Sequence, residues 1–168
     1  MTCQSVVRRN RMIQQQPGDL LEIEFEGKFY YLVVLTKIVM FGGNIVFAFH
    51  GEGSQRSPDS LTPTTPGFNI CTDLLLPKKQ GVVRRLRRCE DTSTFWRTRF
   101  VKSTSEYRPG HKAREWYIYN VDDLRNHIER RSSMPPEYAE AIDGGMHSFD
   151  LVASKILEGY TPINNRFL

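Results

Sequence analysis

The chain has 168 residues, 39% hydrophobic and 25% charged, a size for one domain with or without an appendage and a mixture that excludes disorder of the whole chain. No stretch approaches the 18 or so apolar residues of a membrane-spanning helix, and the arginines of "MTCQSVVRRNRMIQQQ" are followed by no apolar core of a secretory signal, so the expected location is cytoplasmic. The net charge of +4 is uneven: Lys78 to Arg131 holds fifteen Lys or Arg against seven Asp or Glu, whereas Asp19 to Asp73 has only Lys28, Lys37 and Arg56 among a majority of acids.

Residues 1–16 have little pattern and read as a loose arm, and Pro17-Gly18 is a turn that opens the next region. "DLLEIEFEG" alternates, with Leu21, Ile23 and Phe25 on one side and Glu22, Glu24 and Glu26 on the other, which predicts a half-buried strand with a solvated acidic edge. Gly27 turns the chain into "KFYYLVVLTKIVM", a run too rich in β-branched and aromatic residues for a helix. "FGGN" turns it again into a third strand, "IVFAFH". Three strands joined by short turns predict an antiparallel meander that curls to bury its faces.

Residues 51–69 are rich in Gly, Ser, Thr and Pro and predict a long loop of the mobile or functional kind, followed by a helical turn in "ICTDLLLP". "GVVRRLRRCE" returns to strand character. Simple alternation places Arg85 and Arg87 with Val83, and Arg84 and Arg88 with Leu86 and Val82, so arginines fall on both faces and the strand is expected at an edge or protruding. "STFWRTRFVKST" predicts another strand with Arg97 and Arg99 on one face and Trp96 and Phe100 on the other, and "REWYIYN" a last one. Beyond Asn120 three helices are predicted. "VDDLRNHIERR" has Leu124 and Ile128 four apart. "SMPPEYAEAIDGG" has Tyr138 and Ile142 four apart. "SFDLVASKILEGY" has Ser148 as cap, one face of Phe149, Val152, Ala153, Ile156 and Leu157, and Gly159 at its end.

The expected fold is therefore α+β: a small antiparallel, SH3-like or curled β-barrel of about five to six strands over residues 17–120, with two to three helices over residues 121–168 packed on the same domain.

Cys3, Cys71 and Cys89 are odd in number and far apart, which predicts reduced structural thiols rather than a disulfide framework. His50, His111, His127 and His147 have no partner at metal spacing, no phosphate loop exists, and "HGEGS" lacks the order of a nucleophile elbow. No catalytic residue, cofactor or metal is predicted, and the chain reads as a non-enzymatic protein. The basic segment is the candidate binding feature. Arg84, Arg85, Arg87 and Arg88, joined across a hairpin by Arg97 and Arg99 with Phe95, Trp96 and Phe100 interleaved, would suit nucleic acid. The same residues also describe an aromatic core strand with a solvated arginine face, and an arginine fork reads carboxylate and phosphate alike.

The Pro-Gly-Asp opening, the strand and Gly turn of "QPGDLLEIEFEGKFYYLVVL", and "REWYIYN" some eighty residues on resemble the bacterial immunity proteins of polymorphic toxin systems, in the family numbered twenty-six. The resemblance covers residues 16–120 and hands over no site residue. It implies a small, β-rich, cytoplasmic protein that binds a cognate toxin and blocks it. The basic charge then implies a toxin with an acidic surface, or one that contacts the Glu22–Glu26 face. The expected function is a protein-binding module of this kind, with Arg84, Arg85, Arg87, Arg88, Arg97, Arg99, Glu22, Glu24 and Glu26 as partner-binding residues and no membrane partner. The alternative is a nucleic-acid-binding β-barrel that uses an arginine-rich hairpin.

Overall fold

A computed structural model describes residues 15–38, 42–74, 81–106, 108 and 110–164. The predicted arm falls almost wholly outside them. The first three strands form where alternation and β-branched runs demand them: β1 (Asp19–Phe25), β2 (Lys28–Ile38) and β3 (Gly43–Phe49). With β4 (Gly67–Thr72) and β5 (Gly81–Arg88) they make a five-stranded antiparallel sheet, sheet A, in the order β4-β3-β2-β1-β5. The β1–β2 connection is the two-residue turn Glu26-Gly27, with φ of 50° and 73°. Positive φ at both positions matches the strand twist, and Gly27 adopts it freely, whereas a glutamate there is strained.

Sheet A is covered on both faces. On one, Leu21, Ile23, Phe25, Tyr30 and Leu32 pack against a helix, α1 (Phe149–Leu157), through Phe149, Val152, Ala153 and Ile156. Phe149 meets Phe25 and Tyr30 edge-on at 5.5 and 5.6 Å between ring centroids. On the other face Leu20, Val33, Ile45 and Phe47 pack against Leu61, Phe95, Val101 and Ile142. The expected half-buried β1 is therefore corrected. The alternating glutamates suggested one wet face, but β1 is buried along almost its whole length.

The second covering layer is sheet B, made of β6 (Phe100–Ser103), β7 (Trp116–Asn120), β8 (Asp123–Arg131) and β9 (Ile142–Asp143) in the order β8-β7-β6-β9, with β9 parallel to β6. The two sheets meet where the His147 N–H donates to the Cys71 carbonyl and His147 bridges Thr72. Neither closes, so the fold is α+β with two open sheets and not a barrel. Sheet B is locked by a buried lysine. The Lys102 ammonium donates to the carbonyls of Ala139 (2.5 Å) and Pro162 (2.8 Å) and lies 3.8 Å from the Asp143 carboxylate. Burial pulls its pKa below the ordinary lysine range, and Asp143 opposes that pull.

Among the described residues α1 is the one α-helix, and it keeps the predicted face except for exposed Leu157. Ser148 occupies its N-cap position without a side-chain capping bond, and Gly159 follows its end with a φ of 65°. The other two predicted helices are corrected. Residues 121–122 are a turn and Asp123–Arg131 are strand β8, hairpinned to β7 so that Tyr119 faces His127 and Ile118 faces Glu129. The weak four-residue spacing of Leu124 and Ile128 loses to an aromatic, β-branched neighbour that supplies a ladder. In residues 133–145 the prolines leave one 3-10 turn, Pro136–Tyr138, before β9 joins the edge of β6.

"ICTDLLLP" is not a helical turn where it is described, because Ile70–Thr72 complete β4; Leu75 to Pro77 lie outside the described residues. Within the 51–69 stretch a 3-10 turn spans Pro58–Ser60, Leu61 is buried in the core, and β4 starts at Gly67.

Relieving the left-handed strain at Glu26 raises stability. Glu26→Asn should add about 0.5–1 kcal/mol in equilibrium urea unfolding. A lowered midpoint would contradict the turn geometry.

Candidate functional site

The candidate residues separate into an edge strand and a loop. β5 pairs with β1 alone, and no strand among the described residues lies on its outer side, so the expectation of an edge holds. Its face assignment does not. The β1–β5 register shifts between Leu20 and Leu21, so Leu20 faces Arg87 while Leu21 faces Arg85, with Leu86 between them. The bulge reverses the parity beyond it. Arg84 and Arg87 share the face of Leu20 and Glu22, and Arg85 and Arg88 share the other.

The glutamates and arginines neutralise one another. Glu22 is 5% exposed, and both its oxygens are used. One accepts from Arg84 Nη1 at 3.0 Å and the other from the Tyr31 hydroxyl at 3.0 Å, which in turn accepts the Arg56 backbone N–H at 2.8 Å. Arg84 also donates to Glu24 at 3.1 Å. The hydrogen bond to Glu22, and then the charge of Glu24, hold Arg84 above the ordinary arginine pKa. Glu22, Glu24 and Glu26 thus make no continuous acidic face: Glu22 is buried, Glu24 is committed to Arg84, and Glu26 sits in the turn.

The remaining arginines also have partners. Arg85 lies 3.7 Å from the buried Asp19 carboxylate, whose other oxygen accepts the Gln16 N–H. Arg88 donates to the Gln16 side chain at 3.2 Å. Arg87 donates to the Leu61 carbonyl at 3.1 Å and lies 3.7 Å from Asp59.

Arg97 and Arg99 are corrected. They lie between the 3-10 turn Ser93–Phe95 and β6, not on a strand beside β5, and β5 and β6 belong to different sheets. Asn69 is the reason. Its buried side chain accepts the Arg97 N–H at 2.7 Å and donates to the Phe95 carbonyl at 3.0 Å, which holds this segment as a turn. Arg97 donates to the Pro63 carbonyl at 2.7 Å and lies 4.5 Å over the Phe47 ring. Arg99 pairs with Asp122 at 2.6 Å and lies 4.3 Å over Trp96. Arg87 and Arg97 therefore grip one loop at Leu61 and Pro63. A shallow hollow of about 670 Å³ runs along Glu90, Asp91, Ser93, Trp96, Arg97 and Arg99, joining two of the expected residues to acids that the basic-patch reading left out.

A second, more apolar cleft of about 220 Å³ lies between the sheets, lined by Ile38, Cys71, Val101, Tyr119, Leu124 and Met146. Its residues come from five separate strands and a loop, so no local spacing could announce it. Burial, with the Asp143 charge second, pushes the Cys71 thiol up to about 12, far from a thiolate at neutral pH. Cys3 lies outside the described residues. Beside the cleft the His147 Nδ1–H donates to the Cys71 carbonyl at 3.1 Å. Among the described residues no group of three or more His, Cys, Asp or Glu could hold a metal, and no helix is long and apolar enough to cross a membrane. No family model matches the chain, and neither a curated protein nor a solved structure does.

Burial, and next the Lys155 charge, lower the His147 pKa below the ordinary histidine range. The unfolded chain therefore binds the extra proton first, and stability is lost as pH falls from about 6.5 toward the depressed value. Thermal unfolding followed by circular dichroism should shift to lower temperature between about pH 7 and 5.5, and His147→Gln should flatten that dependence. An unchanged slope in the variant would assign the effect elsewhere.

Proposed function

We propose that this protein is a non-enzymatic binding module that acts in the cytoplasm as an immunity protein, capping a cognate bacterial toxin at the β5 edge. The observation that carries the reading is an edge strand, with no strand beyond it among the described residues, whose arginines are partly committed. The side chains of Arg84, Arg85 and Arg87 remain between 42% and 48% exposed while each engages one or two groups of the chain itself. A guanidinium has five donors in a fixed fork, so each keeps donors for an incoming carboxylate. Their internal partners hold them in place and lower the entropy lost on binding. The partner is an acidic protein surface, placed where backbone N–H and C=O groups of β5 also face outward.

The same geometry suits nucleic acid less well. Arginines divided between two faces and shared with Glu22, Glu24, Asp19 and Asp59 do not form the one-sided cationic track that a phosphate backbone follows.

The test is co-expression with the products of adjacent genes. The expected result is a one-to-one complex on size-exclusion chromatography, weakened at least about tenfold by Arg87→Glu with Arg88→Glu. Absence of any such complex, together with nucleic acid that co-purifies and is released by salt, would overturn the reading.

A further inference from the structure

Sheet B also ends on an open edge. Among the described residues β8 pairs with β7 alone, and its nine residues outrun the five of β7, with irregular register between Ile118 and Asn120. Backbone groups on β8 that β7 cannot reach need another partner or water. Most of β8 is exposed, including Ile128 at 52%. A long uncovered strand with an exposed isoleucine is a template for pairing unless its charges forbid it.

The charges on β8 favour pairing with a second copy, in one register. Two antiparallel β8 strands related by a twofold axis at His127 set Asp123 opposite Arg131 of the second copy and Arg125 opposite its Glu129. The symmetry repeats each match, so four opposite-charge pairs form with no like-charge pair. Moving the axis to Ile128 sets Arg125 against Arg131, and moving it to Asn126 sets Asp123 against Glu129. β5 behaves in the opposite way: an axis at Leu86 sets Arg84 against Arg88 and Arg85 against Arg87. Directly opposed charges in a ladder stabilise when unlike and destabilise when like, so one edge of the molecule repels its own copy and the other accepts it.

We propose that this protein self-associates through β8, the two four-stranded sheets continuing across a twofold axis at His127 as one eight-stranded sheet. Arg131 is already extended along the edge by its contact with Glu129 at 3.1 Å, and Asp123 bonds the Arg125 N–H at 3.2 Å, so the charges stand in a defined order along the strand. One strand pair is a small interface, and the dimer is of micromolar strength. It leaves β5 uncovered and does not depend on what binds there.

Sedimentation velocity across the low- to high-micromolar range tests this. The wild type should show a monomer–dimer equilibrium that weakens as NaCl rises from about 0.05 to 0.5 M. Arg125→Glu should raise the dissociation constant about tenfold, because it places like charges opposite at two symmetric positions. Arg125→Glu combined with Glu129→Arg should recover most of that loss. A wild type that stays monomeric overturns the proposal, as does a dimer indifferent to salt or to Arg125→Glu. Failure of the double exchange to recover association, with its circular dichroism spectrum unchanged, overturns it as well.

Discussion

Burial of sheet A on both faces is the constraint on which the rest depends. β1, β2 and β3 have α1 on one side and sheet B with the 51–66 loop on the other, so these strands offer no wet face. Charge on them must be moved outward or satisfied in place, because a buried carboxylate without partners costs several kcal/mol. Glu22 is satisfied in place by the Tyr31 hydroxyl and Arg84. Asp19, also buried on β1, accepts the Gln16 N–H and lies 3.7 Å from Arg85, while Glu24 reaches Arg84 and Lys37 is exposed near the end of β2. The surface available for recognition is therefore made of strand edges and loops, and the arginines of β5 follow from the packing of the strands beside them.

Several elements were legible because local pattern and tertiary context agree in them. β1 to β3 carry alternation or β-branched runs bounded by Gly turns, and α1 carries an apolar stripe ended by Gly159. The edge position of β5 was legible in its two-sided arginines. The failures have physical causes. Residues 123–131 have the weak spacing of a helix and the partner of a strand, and the partner decides. β9 is two residues long and exists because β6 has a free edge. The parity of Arg87 and Arg88 turned on one bulge that no residue type announces. Arg97 and Arg99 were misplaced because Asn69, nearly thirty positions away, holds their segment as a turn.

The partner-binding role proposed for the arginines does not conflict with their role inside the fold. Arg84 satisfies Glu22, and Arg87 with Arg97 fixes the loop around Leu61, so the basic segment is first a set of ties within the fold. Exposed pairs of this kind add little stability singly, about 0–1 kcal/mol each, but they fix side-chain geometry. A guanidinium held this way is preorganised for an acidic partner. The β5 and β8 edges then differ in kind: an antiparallel copy sets like charges opposite on β5 and unlike charges opposite on β8.

Hydrogen exchange along β5 in the isolated protein tests most directly whether function is left to open edges. On an edge strand, alternate amides point to the neighbouring strand and the others to solvent. Alternate amides from Val82 to Arg85, short of the bulge at Leu86, should exchange quickly and the intervening ones slowly, while those of β2 and β3 exchange last. Uniformly slow exchange along β5, at the level of β2, would mean that its outer edge is already covered and would contradict the account.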